Sequence, residues 1–127
     1  MNAFATLLGR VGLSLIFIIS GFGKIAAYAG TQQYMEHAGV PGALLPLVII
    51  AELGGGLAIL GGFFTRWAAL ALAGFSVVSA LFFHTDFADQ MQQINFMKNI
   101  AMAGGFLVLF AHGAGAYSID ALRSRNK

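Results

Sequence analysis

The polar residues that interrupt the long apolar runs of this 127-residue chain are where its chemistry must lie. Glu52 stands near the middle of such a run, in "LPLVIIAELGGGLAILGGFFTR". A carboxylate at that depth in an apolar medium must be neutral or paired. Arg10 and Lys24 flank another apolar run, and Lys98 enters a fourth. Arg10, Ser14, Phe17, Gly21 and Lys24 are spaced 4, 3, 4 and 3, a single helical stripe that turns both cations to one face. Leu45, Val48, Glu52, Gly55 and Ile59 form the corresponding stripe around the acid. Counting helical rise from the ends of the apolar runs puts Arg10 and Lys98 each roughly 9 Å from Glu52 in depth. Depth therefore leaves both as partners. The planar guanidinium fork suits a buried carboxylate better than an ammonium that can snorkel outward, so the expectation is a buried Arg10–Glu52 pair.

A second polar group lies towards the opposite surface. Lys24 closes the first run, His84 ends the third, and Asn95, Lys98 and Asn99 open the fourth. Their common depth suggests a polar vestibule, and Lys24, Glu52, His84, Asn95, Lys98 and Asn99 are the candidate ligand-binding residues. No catalytic residue can be assigned. Metal chemistry has little support. His84 and His112 stand at opposite membrane depths and cannot share a haem iron, while His37 and His84 lack a carboxylate at ligand spacing. The chain has no cysteine, which excludes disulfides and thiolate metal sites.

The elements that position these side chains are membrane helices. The composition is 58% hydrophobic and only 9% charged, where a soluble domain has about 25% charged residues. Four apolar segments, about 4–22, 43–64, 66–84 and 95–114, each approach the ~20 residues needed to cross a 30 Å hydrocarbon core. Lipid offers the backbone no hydrogen-bond partners, so these segments are helical. The expected fold is all-α: a single-domain, integral membrane four-helix bundle over residues 1–127. "AYA" at Ala27–Ala29 has the small-x-small form of a signal-peptidase site, but Arg10 within the apolar stretch and Lys24 just before the site argue for a retained span.

With four spans, Arg66, Arg123, Arg125 and Lys127 share one side with Asp120, and Glu36, Asp86 and Asp89 lie on the other. The positive-inside rule puts both termini in the cytoplasm. On the outer side, "GTQQYMEHAGVPG" carries a helix start at Thr31 and a stop at Gly39, and with "HTDFADQMQQINFMKN" it is expected to form a partial lid. Gly54, Ala58 and Gly62 recur every fourth position, a spacing that lets helices approach closely in lipid. A net charge of +2 gives no basis for nucleic-acid binding.

Taken in order, "GR" with "SGFGKI", "YAGTQQYMEHAGVPG", "LPLVIIAELGGGLAILGGFFTR", "FHTDFAD", "FMKN" and "GAGAYSID" resemble the DoxX family of small bacterial inner-membrane proteins, over nearly the whole chain. The resemblance implies four membrane helices, an inner-membrane location and no intrinsic cofactor. It also implies an association with quinone-linked redox systems and oxidative-stress responses, and marks Arg10, Lys24, Glu52, Arg66, His84 and Asn99 as matching positions. Two function classes follow: a quinone-interacting protein or redox-complex subunit, and a small-molecule transporter or non-catalytic accessory protein. Besides the lipid bilayer, the candidate partners are a redox protein and a second copy of the chain.

Overall fold

The computed structural model describes residues 3–83 and 88–125, and every element among them is helical. These are α1 (Ala3–Ala26), α2 (Tyr28–His37), a 3-10 turn (Gly42–Leu44), α3 (Leu45–Gly61), α4 (Thr65–Phe83), α5 (Gln90–His112) and α6 (Ile119–Arg125). Four are long and apolar enough to cross a membrane: α1, the turn with α3, α4 and α5. With four spans, the N-terminus and α6 lie on the same side, here the terminal side. The other, which carries α2, is the far side.

The spans pack mainly as two pairs, α1 with α3 and α4 with α5, joined through α3 and α4. The predicted stripe on α1 is the buried one: Arg10, Ser14, Phe17 and Gly21 are its buried residues. On α3, Leu45, Glu52 and Ile59 are buried as the spacing predicts. Between these stripes lies a core of Phe17, Ile59, Leu72, Ala73, Phe106 and Leu109, with the Phe17 and Phe106 rings 5.5 Å apart. Ile19, Leu47, Ile50, Leu57, Leu81 and Val108 are exposed on the outside of the bundle, as lipid-facing side chains must be.

Two glycines set how α1 meets α3. A Cβ on Gly21 would stand 2.6 Å from Leu53 Cγ, and one on Gly56 would stand 2.9 Å from Ile18 Cγ1. Neither tolerates a side chain without movement, so the helices approach closely at these points. The small-residue spacing predicted from Gly54 is out by a position or two. Gly54 meets nothing within 4 Å, whereas Gly55 lies against Leu72 and Gly56 against α1.

The span ends also differ from the apolar runs. α3 stops at Gly61 because Gly62 adopts a left-handed conformation (φ 71°) and caps it. α5 begins at Gln90, ahead of the predicted 95, because Asp89 Oδ1 accepts the Met91 N–H at 2.9 Å. Thr31 does not start α2. It sits within that helix, its hydroxyl donating to the Ala27 carbonyl at 2.9 Å.

Candidate functional site

The close contacts Gly21–Leu53 and Gly56–Ile18 fix the antiparallel register of α1 and α3. They bring Glu52 level with the turn that ends in Lys24, and Arg10 level with Gly62 and Phe64. Glu52 and Arg10 are therefore separated by about a dozen residues of helix, roughly 18 Å. The expected Arg10–Glu52 pair does not form. Lys24 Nζ lies 2.7 Å from Glu52 Oε1, with the Glu52 side chain 6% exposed and that of Lys24 27%. The same ammonium donates to Ser20 Oγ at 2.7 Å, one helical turn back. Ammonium carries three N–H donors, so a third remains for a ligand oxygen.

This pair stands between two cavities. The larger, about 420 Å³, is largely apolar and is lined by Met35, Val48, Val78, Phe82 and Phe83, with Lys24 and Glu52 at its polar end. α2 covers it. Met35 is buried, Tyr34 stacks on Phe83 with ring centroids 5.3 Å apart, and Gln32 Nε2 donates to the Gly42 carbonyl at 3.2 Å. The first far-side loop thus covers the cavity as a helix, while residues 84–87 of its expected companion lie outside the described residues. The smaller cavity, about 170 Å³, is more polar and is lined by Ser20, Ser76, Asn99 and Met102. Lys24, Glu52, Phe75 and Ser79 line both.

Of the candidate ligand-binding residues, Lys24, Glu52 and Asn99 come together around these cavities, and Asn99 Nδ2 donates to the Ser76 carbonyl at 3.2 Å. Lys98 and Asn95 do not join them. α5 turns Asn99, Met102 and Phe106 inward, which rotates Lys98 by 100° to an exposed position and leaves Asn95 half-buried, one turn away. Neither lines either cavity. His84 lies outside the described residues. Ser20, Ser76 and Ser79 are site residues that sequence reasoning did not select. The available signal was positional: Ser20 is one turn from Lys24 on the same face, and Ser76 and Ser79 are one turn apart on α4. Among the described residues there is no group of three His, Cys, Asp or Glu side chains able to hold a metal ion.

Arg10 serves a separate construction at the terminal side. It is 1% exposed, and it donates from Nη1 to the Ala114 carbonyl at 3.1 Å and from Nη2 to the Tyr117 carbonyl at 2.6 Å. Gly113 and Gly115, both at φ 83°, shape the turn that presents these carbonyls. The acid acting on the Arg10 charge is Asp120. Asp120 also caps α4 from a distance. Its Oδ1 accepts the Phe64 N–H at 2.8 Å, its Oδ2 accepts the Thr65 N–H at 2.9 Å, and its own N–H donates to the Gly62 carbonyl at 2.8 Å. Burial works to raise the Asp120 carboxyl, but hydrogen bonds from Thr65 and Phe64 and the charge of Arg123 outweigh it, holding it below the usual carboxylate range. Gly62 is required here, because a Cβ would collide with Ser118 and the Arg10 guanidinium.

The fold and site define a four-helix membrane protein with an ion pair lodged between an apolar cavity and a polar one. The DoxX family profile matches residues 5–85, and the chain belongs to the DoxX family. It is 55% identical to the inner membrane protein YqjF of Escherichia coli K12 over 119 residues, covering 94% of this chain and 92% of that protein. It is 38% identical to the inner membrane protein YphA of the same organism over 121 residues, covering 90% of this chain and 86% of that protein. No solved structure gives a significant match. Like these relatives, the chain is an inner-membrane protein, and its four membrane-crossing helices make it multi-pass.

Proposed function

We propose that this protein binds a membrane-soluble quinone at the Lys24–Glu52 pair and serves a membrane redox system. The observation that carries the reading is the buried ion pair at the junction of a wide apolar cavity and a small polar one. An amphipathic ligand with an apolar tail and a carbonyl-bearing ring matches that division. A quinone supplies two-electron redox chemistry, with electrons exchanged with a partner protein. Lys24 donates a hydrogen bond to a carbonyl oxygen, and Glu52 holds or releases a proton beside it. The packed core of Phe17, Ile59, Leu72 and Phe106 stands between this site and the Arg10 region, which favours a bound ligand over a transported one.

The test is a thermal-shift titration of the purified protein in detergent with decylubiquinone, using dodecanol as a tail-only control. Ligand at a hundredfold excess over its Kd stabilises the folded protein by about 2.7 kcal/mol. The quinone should raise the melting temperature, dodecanol should not, and Lys24→Met should lose the response. No shift with the wild-type protein, or an undiminished one with Lys24→Met, overturns the reading. Flux of a small solute through liposomes would support the transporter class instead.

The reading includes an orientation with both termini cytoplasmic, supported by Arg66 and Arg123 on the terminal side and Glu36 and Asp89 on the far side. Alkaline phosphatase fused after Asp89 should be active and after Lys127 inactive. The reverse pattern refutes this orientation.

A further inference from the structure

The smaller cavity contains a feature that the ion pair does not explain. Ser76 is 2% exposed, lines this cavity, and its hydroxyl has no hydrogen-bond partner among the described residues. A buried hydroxyl without a partner loses its hydrogen bonds to water and gains none in return. The neighbouring amide does not relieve it, because Asn99 Nδ2 bonds the Ser76 main-chain carbonyl rather than its side chain. Asn99 thereby ties α5 to α4 beside an unused donor. Lys24 lines the same cavity, hydrogen-bonded to Ser20 and ion-paired with Glu52.

We infer that the smaller cavity is a head-group subsite in which Ser76 and Lys24 bind two different oxygens of one ligand. The inference rests on the proposed quinone reading and narrows it: the ligand class is a ring carrying two carbonyls on opposite sides, and Ser76 is the residue that selects for the second. The Lys24 ammonium donates to one oxygen and the Ser76 hydroxyl to the other. Each donor has an acceptor in the same cavity, Glu52 beside Lys24 and the Asn99 side-chain oxygen on the Ser76 side. The subsite can therefore also accept hydrogen bonds from the dihydroxy form of such a ring. The apolar substituent extends into the larger cavity past Phe75 and Ser79, which line both spaces. A site with a buried donor discriminates against a ligand that lacks the matching acceptor, because the donor is then left unpaired.

The experiment measures binding of 2,3-dimethyl-1,4-naphthoquinone and of 2-methyl-1-tetralone, a fused ring system with one carbonyl, to the full-length protein in detergent. Wild type should bind the quinone on the order of tenfold more tightly than the tetralone, the value of one buried hydrogen bond. Ser76→Ala should weaken quinone binding by a similar factor, leave tetralone binding within about twofold, and so erase the preference. Ser76→Thr, which keeps the hydroxyl, should retain it. Equal wild-type affinities for the two ligands overturn the inference without any variant having to fold. Quinone binding untouched by Ser76→Ala overturns it while leaving the Lys24–Glu52 reading standing. Failure of the quinone to bind at all overturns both.

Discussion

Removing Lys24 should reveal how Glu52 is tolerated inside the bundle. Lys24→Met keeps the length of the stem and deletes the charge that lies 2.7 Å from Glu52 Oε1. The carboxylate left behind is 6% exposed, so water cannot solvate it freely. Breaking a buried pair from one side costs about 3–5 kcal/mol. At about 4 °C per kcal/mol, Lys24→Met should melt some 12–20 °C below wild type. Glu52→Gln should cost less, since Lys24 is 27% exposed and keeps Ser20. The double variant should be less damaged than the sum of the single ones. Melting of the four proteins in one detergent completes the test. Strict additivity of Lys24→Met and Glu52→Gln, or a Lys24→Met variant that melts with the wild type, would refute the argument. Arg10→Ala and Glu52→Gln, by contrast, should simply add.

Arg10→Ala should lower thermal stability by about 3 kcal/mol and raise hydrogen exchange across residues 113–125, since it removes the bonds to the Ala114 and Tyr117 carbonyls; unchanged exchange there would count against its role as a clasp. Gly21→Ala should destabilise by about 1–3 kcal/mol through collision with Leu53, whereas Gly54→Ala, in open space, should be neutral or slightly stabilising in the same melting assay. Asp120→Asn should cost about 1 kcal/mol at neutral pH by weakening the cap on α4. Because the folded-state pKa of Asp120 is depressed, its contribution is present above the ordinary carboxylate pKa of about 3.9 and is lost as pH falls through the folded value. The difference between wild type and Asp120→Asn should therefore close in strong acid, and a gap that widens there would contradict the assignment.

What the sequence made legible was periodicity. The 4-3-4-3 spacing from Arg10 to Lys24 named the buried face of α1, and the stripe through Glu52 named that of α3. Register was not legible, because hydropathy fixes the approximate length of a span but not how far one helix slides along another. That sliding is set by Gly21 against Leu53 and Gly56 against Ile18, and it doubled the estimated distance between Arg10 and Glu52. The consequence was a correct pair of stripes with the wrong cation assigned to the acid. The sequence places Lys24 at the correct end of the bundle, but in a vestibule with Lys98, which α5 turns outward, and Asn95, which lies one turn beyond the cavities. The role of Asp120 left no local signal at all, since its partners Phe64 and Thr65 lie far back along the chain. Ser76 was legible as a polar residue within an apolar segment, though not as a lone donor facing a cavity.

The distance along the chain between Asp120 and the helix it caps has a consequence for biosynthesis. Thr65 leaves the ribosome 55 residues before Asp120, which at about 5–20 residues per second is roughly 3–11 seconds of synthesis. Throughout that interval the amino end of α4 lacks the carboxylate that later holds two of its main-chain donors, and Phe64 lacks the bond that steadies its left-handed backbone (φ 46°). Arg10 waits longer still, because the carbonyls it grips belong to residues 114 and 117. The terminal side of the bundle is thus closed by a segment made after all four spans. Spans can enter the bilayer in order, but the clasp that joins the first helix to the turn between the second and third spans sets only after α5 has been made.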